Sequence, residues 1–175
     1  MMAALLALAL AQALPSTPDL GTADARCRAD EPGPAILIEV RGLKDRMGLL
    51  RAELYPDDDQ DFLADDNALV AQRKIFRRVD LSLTHDAKPR LCLRVPAPGS
   101  YTLAVLHDRN GDHKFQPWQD GAGFPGNPRL GWSRPKASAA RVMVGSGVTT
   151  ISIVMNYLHG VAFGPLASAP PRAAR

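Results

Sequence analysis

The 175-residue sequence has little of what would indicate a large or membrane-spanning protein. Only 6% of its residues are aromatic and only two are cysteine. Beyond the first 14 residues, no apolar run approaches the roughly 18 residues that a transmembrane helix needs. The length is that of a single domain, which excludes a large multidomain enzyme. We therefore expect one folded domain without a transmembrane segment.

The usual catalytic signatures are lacking as well. The sequence contains no Gly-x-Ser-x-Gly motif, no His-Glu-x-x-His pair and no glycine-rich phosphate loop. Its four histidines are scattered, and we interpret His107 and His113, the closest pair, as satisfied loop residues rather than zinc ligands. We expect a protein that is not an enzyme.

An excess of one charge sign is nearly absent, since 21 Lys and Arg face 18 Asp and Glu for a net charge of +3. Six aspartates lie within residues 57–66, without the alternating spacing of cation ligands, so we interpret them as a solvated loop. The basic cluster that follows (Arg73, Lys74, Arg77, Arg78) lacks interleaved aromatic residues that could stack on bases. We expect the two clusters to offset each other and predict no nucleic-acid partner.

Both ends of the chain differ from the middle. Residues 1–13 form an uncharged apolar run that ends in Ala-Gln-Ala, which is typical of a secretory signal peptide, although no basic residue precedes it. A buried N-terminal helix is the alternative, but prolines follow at once. We predict a periplasmic or secreted protein with a linker at 14–30, a folded domain at 31–159 and a disordered, Ala- and Pro-rich tail at 160–175.

The two cysteines are predicted to form a disulfide. Cys27 and Cys92 are an even number in a chain that is predicted to be exported, and neither has a CxxC partner or a neighbouring histidine. A nucleophile or a metal ligand is the weaker interpretation. A bridge over so long a loop stabilises by about 4 kcal/mol in the loop-entropy model.

Alternating apolar and polar residues predict an all-β fold. With 14 Gly and 15 Pro, the chain favours turns and short strands over long helices. We predict an antiparallel β-sandwich of about seven strands, with two long loops and one turn of helix near 64–72. Hairpin turns are expected at 96–99 and 145–147. The predicted strands are 35–41, 49–55, 76–83, 90–95, 101–106, 141–144 and 148–155.

The second long loop contains a calcium-like pattern. Asp108, Asn110 and Asp112 have the 1, 3, 5 spacing of an EF-hand loop, and the further candidate ligands are the Lys114 carbonyl, Gln116 and Asp120. His113 replaces the usual glycine, and the bidentate glutamate is missing. If Ca²⁺ binds here, we expect weak affinity. The alternative is that these residues only make Asx turns.

Aromatic and basic residues share the rest of this loop. They are Trp118, Phe124 and Trp132, with Arg129 and Arg134 nearby. The favoured interpretation is that the aromatic rings fold down over the edge of the sandwich. The alternative is an exposed surface that contacts a glycan or an anionic ligand.

The same region resembles a known family of exported bacterial proteins, domain of unknown function 2141. The resemblance is carried by the run Pro98-Gly99-Ser100-Tyr101, by His107-Asp108-Arg109-Asn110-Gly111-Asp112, by Gly121-Ala122-Gly123-Phe124-Pro125 and by Gly131-Trp132-Ser133. It extends over about residues 35–157. It implies a secreted β-sandwich similar to transthyretin-like and surface-protein repeat domains, and it implies no particular activity.

Together these observations predict an exported, non-catalytic binding module of the cell envelope. Its partner would be a cell-envelope protein or a glycan, and Ca²⁺ is the one candidate cofactor. The alternative is a small hydrolase that uses carboxylates of the 57–66 and 108–120 segments. That alternative requires the two acidic segments to converge on one pocket.

Overall fold

The computed structural model describes residues 27–28, 32–83 and 88–166. The predicted signal peptide at 1–13, most of the linker at 14–30 and the tail beyond residue 166 lie outside the described residues. Ten strands and one α-helix follow one another along the described chain: β1 (Ala35–Arg41), β2 (Leu49–Pro56), α1 (Asp66–Ala71), β3 (Arg77–Ser82), β4 (Arg90–Arg94), β5 (Gly99–Asp108), β6 (Gly121–Gly123), β7 (Arg141–Val144), β8 (Val148–Val154), β9 (Asn156–His159) and β10 (Ala162–Pro165). A short 3-10 helix (Ala137–Ala139) precedes β7.

The strands form two sheets. The smaller sheet has the order β4-β1-β8, and the larger has the order β10-β9-β6-β5-β2-β3. Strand β7 joins the larger sheet by pairing with residues 99–102 of β5, beside the segment of β5 that pairs with β6. The prediction of a sandwich-like all-β fold is confirmed. One pair is parallel, however, since β1 and β8 run in the same direction from Ala35↔Val148 onward.

One face of the larger sheet packs on the smaller sheet. Leu50, Ala52 and Leu54 point inward from β2, as the alternation predicts, and the intervening side chains of β2 face the other way. The inward-pointing side chains of β2 pack with Ile36 and Ile38 of β1, which are fully buried. We call this side of the larger sheet the inner face.

The other side of the larger sheet, the outer face, is covered by helix α1 and loops. Tyr55, Phe62, Leu69, Phe76 and Phe124 form a second apolar cluster there. Helix α1 begins where the Asp65 side chain accepts a hydrogen bond from the Ala68 N–H, which satisfies a donor of the first turn. The helix confirms the prediction near 64–72.

Both predicted hairpin turns are wrong. The turn at 96–99 joins β4 to β5, and the turn at 145–147 joins β7 to β8, but in each case the two strands belong to different sheets. Proline and glycine mark a reversal of the chain, whereas strand pairing is decided by which apolar face each strand must bury. Both segments are therefore sheet-to-sheet connections.

Three strands, β6, β9 and β10, were not predicted from the sequence. Strand β6 has only the sequence Gly-Ala-Gly, and β10 (Ala162–Pro165) lies inside the stretch predicted as a disordered tail. Pairing of β10 with β9 overrides a composition rich in Ala, Gly and Pro. The folded part therefore extends past residue 159, and the tail prediction is wrong for β10.

The predicted disulfide is present. Cys27 and Cys92 are bonded, with their Cα atoms 5.2 Å apart and a sequence separation of 65. Cys92 points away from Leu91 and Leu93, as the alternation in β4 predicts, so the bridge fastens the N-terminal segment to the outside of the smaller sheet.

Candidate functional site

The loop after β5 is organised by the carboxylate of Asp108. Its Oδ1 accepts a hydrogen bond from the Gly111 N–H at 2.7 Å, and its Oδ2 accepts one from the His113 N–H at 2.8 Å. Gly111 and His113 both have left-handed backbones, with φ of 71° and 64°. His113 also lies against the outer face, with Nδ1 2.6 Å from Nη2 of Arg51. Asp108 therefore closes the turn and docks it on the sheet.

The remaining candidate calcium ligands bond to one another and to the backbone. The Asp112 N–H donates to the Asn110 side-chain oxygen at 3.2 Å, and the Lys114 N–H donates to Asp112 Oδ1 at 2.9 Å. The Gln116 amide also donates to Asp112, which is fully exposed and whose pKa is lowered, chiefly by the Lys114 backbone N–H.

Asp120 ties the two ends of the loop together. Its Oδ1 accepts the Arg109 N–H at 3.0 Å, and its Oδ2 accepts the Gln116 N–H at 2.8 Å. Within residues 27–28, 32–83 and 88–166, no three His, Cys, Asp or Glu side chains are grouped as a metal site requires. The geometry is that of the Asx-turn alternative, and calcium binding stays a prediction from the spacing.

His107 precedes this loop and is buried on the inner face. The Met47 carbonyl can only accept, so Nε2 of His107 donates to it at 3.0 Å, and Nδ1 accepts from the Tyr157 hydroxyl at 2.6 Å. The Tyr157 oxygen in turn accepts the Lys44 N–H at 3.0 Å. His107 is a satisfied histidine, as predicted, although it lies on β5 rather than in a loop.

Burial sets the protonation of this pair. It lowers the pKa of His107 and raises the pKa of Tyr157 to about 12, so both side chains are neutral near pH 7. Beside them, Arg109 bonds to Asp45 through Nε at 2.8 Å and to the Gln119 carbonyl at 3.0 Å. Burial acts to raise the pKa of Asp45, but the Arg109 hydrogen bonds and charge together with the Met47 backbone N–H outweigh it, and the net pKa is lowered. These contacts fasten the 108–120 loop to the β1–β2 connection.

Three aspartates of the 57–66 segment form ion pairs with basic side chains. Asp57 accepts hydrogen bonds from Ser100 Oγ and from Nε of Arg141, each at 2.6 Å, and these partners lower its pKa. Asp61 pairs with Lys74 at 2.5 Å, and Asp66 pairs with Arg78 at 2.9 Å. The predicted offset of the acidic and basic clusters is confirmed for Asp61 with Lys74 and for Asp66 with Arg78, whereas Arg141, the partner of Asp57, lies outside the predicted basic cluster.

The two acidic segments lie at opposite ends of β2 and β5. The first follows Pro56, which faces Tyr101, whereas Asp108 faces Leu49 at the other end of the pair. The length of β2 separates these ends by about 24 Å. The carboxylates therefore do not converge as the hydrolase alternative requires.

The outer face carries an open cleft of about 350 Å³, here called the aromatic cleft. It lies over the larger sheet, where Leu106 and Ala122 form part of its lining. Segments far apart in sequence supply the rest, which comprises Leu63, Phe115, Pro117, Phe124, Leu130, Gly131, Trp132, Ser133, Arg134, Pro135 and Phe163.

The predicted contact residues divide into three groups at this cleft. Phe124 is buried and packs on Phe62 with ring centroids 5.9 Å apart, so it folds down as predicted. Trp118 and Trp132 are 73% and 67% exposed, so folding down is wrong for both tryptophans. Trp132 and Arg134 line the cleft, whereas Trp118 and Arg129 are exposed but do not.

Trp132 is fixed at the rim of the cleft. Its Nε1 donates to the Val161 carbonyl at 2.9 Å, and its ring meets that of Phe163 edge to face at 5.4 Å. Both partners belong to the chain around β10, which the sequence did not predict. The rim of the cleft therefore depends on β10 and its pairing with β9, which no local sequence pattern predicts.

Comparison with known proteins identifies one family. The model of DUF2141, described as an uncharacterized protein conserved in bacteria, matches residues 38–152, which run from the second half of β1 through most of β8. The resemblance read from the His-Asp-x-Asn-Gly motif is thereby confirmed. No curated protein and no solved structure matches the chain. Among the described residues, none of the helices has the length and apolar character to cross a membrane.

Proposed function

This chain belongs to the DUF2141 family of bacterial proteins, and from that premise we propose that it is an exported, non-catalytic module of the cell envelope that binds a small, mostly apolar molecule in the aromatic cleft. Export is supported by the disulfide between Cys27 and Cys92, since such bonds persist mainly outside the reducing cytosol. The signal-like sequence at 1–13 supports it independently.

The observation that carries the proposal is the aromatic cleft itself. Its volume of about 350 Å³ falls in the range of small-molecule sites, and its lining is almost entirely aromatic, aliphatic, proline or glycine. Trp132 is held in place by Val161 and Phe163, so the rim needs no reordering before a ligand binds. Preorganisation of this kind leaves more of the contact energy for affinity.

The lining favours an apolar ligand over a glycan. A sugar presents many hydroxyl groups, and each one buried without a partner costs free energy. Side chains that could bond to hydroxyls are few in the described lining, where Ser133 and Arg134 supply them. A glycan partner therefore fits this cleft less well than an apolar molecule does.

Binding of the neutral, polarity-sensitive dye N-phenyl-1-naphthylamine tests the proposal. We expect the mature wild-type protein to enhance and blue-shift the fluorescence of the dye with a saturable curve. Trp132→Ala removes one wall of the cleft and is expected to weaken binding about tenfold, the equivalent of about 1.4 kcal/mol.

Trp118→Ala is the matched control, because Trp118 is as exposed as Trp132 but does not line the cleft. Its dye affinity should equal that of the wild type. Absence of saturable dye binding, or equal loss in both variants, would reject the proposed function. Binding of oligosaccharides with no binding of the dye would favour the glycan partner instead.

A further inference from the structure

One charged side chain interrupts the apolar lining of the aromatic cleft. Among the described residues that line it, Arg134 is the one with a full charge. The Arg134 Nη2 donates to the Asp59 backbone carbonyl, which holds the guanidinium beside the cleft. A guanidinium has five N–H donors in a planar fork that matches a carboxylate or a phosphate.

We propose that the ligand of the aromatic cleft is a single-chain amphiphile with an anionic head group, whose apolar chain occupies the cleft while its head group bonds to Arg134. This inference rests on the proposed function and specifies the chemistry of its ligand. Its basis is charge complementarity, since an apolar body and one anion match an apolar lining and one cation.

The acidic residues near Arg134 are engaged elsewhere. The Asp59 carboxylate accepts the Ala137 N–H at 2.7 Å, and Asp57 is paired with Arg141 at 2.6 Å. Neither carboxylate is among the groups that line the cleft. The contact from Asp59 to Arg134 comes from its backbone carbonyl, which accepts a hydrogen bond without neutralising the guanidinium.

Arg134 therefore provides the positive charge at this rim. Lys114 is a second cation, near the Phe115 end of the cleft. Lys114 and Phe115 both line a small neighbouring pocket. That pocket is also lined by Arg51, which is paired with Asp80, and by Asp108 and Asp120, whose oxygens accept backbone N–H groups. Because Arg134 lines the cleft directly, the head group is assigned to Arg134 rather than to Lys114.

Displacement of the bound dye by decanoate and by decanol tests this assignment at neutral pH and low salt. The two competitors share one alkyl chain and differ in the charge of the head group. We expect the wild type to bind decanoate about tenfold more tightly than decanol, which is the gain that a charge-assisted hydrogen bond of about 1.4 kcal/mol provides. Decyltrimethylammonium should bind no better than decanol.

Two substitutions locate the effect. Arg134→Gln should reduce the preference for decanoate to about twofold or less while dye and decanol binding persist, and Arg134→Lys should restore part of the preference. Arg129→Gln is the matched control, since Arg129 is exposed but does not line the cleft, and it should keep the wild-type preference.

The outcomes separate this inference from the proposed function. Equal affinity for decanol and decanoate, or equal behaviour of the Arg134→Gln and Arg129→Gln variants, overturns the anionic head group and leaves the apolar cleft standing. Loss of all dye and amphiphile binding overturns both. Binding to phosphatidylglycerol vesicles without displacement of the dye by decanoate also overturns the inference, because it would place recognition at a lipid surface.

Discussion

The two faces of the larger sheet are closed in different ways. The inner face is covered by a second sheet, and residues such as Leu54 and Leu103 have no exposed surface. The outer face is covered by α1 and long loops, and there Trp132 remains 67% exposed beside a cleft of about 350 Å³. A sheet supplies side chains at a regular spacing, whereas loops supply them irregularly and leave gaps. The difference separates the part of the molecule that holds the fold from the part available for binding.

Polar groups differ between the two faces as well. On the outer face, a buried ion pair joins Arg78 to Glu53 at 2.8 Å, and a partly buried one joins Arg51 to Asp80 at 2.7 Å. On the inner face, the buried titratable side chains His107 and Tyr157 are both neutral and bond to each other, and His107 also bonds to the Met47 carbonyl. The outer face is thus organised by charge, while the inner face depends on apolar packing.

Loss of the disulfide should lower the stability of the protein the most. Replacing both Cys27 and Cys92 by serine frees a loop of 65 residues, and the free energy of unfolding should fall by about 4 kcal/mol. Urea denaturation of the double variant measures the loss, with the reduced wild type as a control that should match it. A loss below about 1 kcal/mol would contradict the role of the disulfide in stabilising the smaller sheet.

Truncation of one leucine on each face compares them directly. Leu54→Ala creates a cavity in the inner face and should cost about 3 kcal/mol of unfolding free energy. Leu130→Ala on the half-exposed lining of the aromatic cleft should cost about 1 kcal/mol or less. Chemical denaturation of both variants gives the values, and equal losses would erase the distinction between the faces.

Two glycines provide a similar comparison for added volume. A Cβ at Gly123 would lie 2.5 Å from Cγ2 of Ile153, whereas a Cβ at Gly131, on the cleft, would meet nothing within 4 Å. Gly123→Ala should therefore destabilise by about 2 kcal/mol and Gly131→Ala by less than about 0.5 kcal/mol. Thermal melting that ranks the two variants in the opposite order would show that the inner face is less tightly packed than described.

The smallest effect should be the pH dependence that His107 contributes. Because burial lowers its pKa below the usual 6.5, the unfolded chain binds more protons than the folded one just below that pH. Stability should therefore decrease as pH falls through 6.5 toward the lowered folded pKa. His107→Gln should flatten this slope in urea titrations, while His159→Gln, at an exposed site, should leave it unchanged. An identical slope in both variants would mean that His107 is not buried in the neutral form.

Much of the fold could be predicted because its strands show their burial locally. Ile36, Ile38 and Val40 are buried and alternate with neighbours that are more exposed, and the seven strands predicted from such alternation are all present. Strand β6 could not be predicted, since Gly121 and Gly123 have no β propensity and serve to admit the side chains of Tyr157 and Ile153. Pairing partners could not be predicted either, because a turn sequence does not specify which sheet receives the next strand.

Less of the candidate site could be predicted from the sequence. The spacing of Asp108 and Asp112 is compatible with both a calcium loop and Asx turns, and the hydrogen bonds to backbone N–H groups that favour the turns are a property of the folded loop. The aromatic cleft draws on residues from Leu63 to Phe163, so no local pattern describes it. The sequence predicts Trp132 as a candidate contact residue. Its position at the rim, however, depends on packing against Phe163 of β10, a strand that the composition does not predict.

Methyl chemical shifts during a titration with decanoate test the central claim most directly. If the outer face binds a small apolar molecule and the inner face is closed, the methyl groups of Leu106 and Leu130 and the indole N–H of Trp132 should shift saturably. Those of Leu54 and Leu103 should not move. No saturable shift at the cleft, or larger shifts on the inner face, would contradict the account.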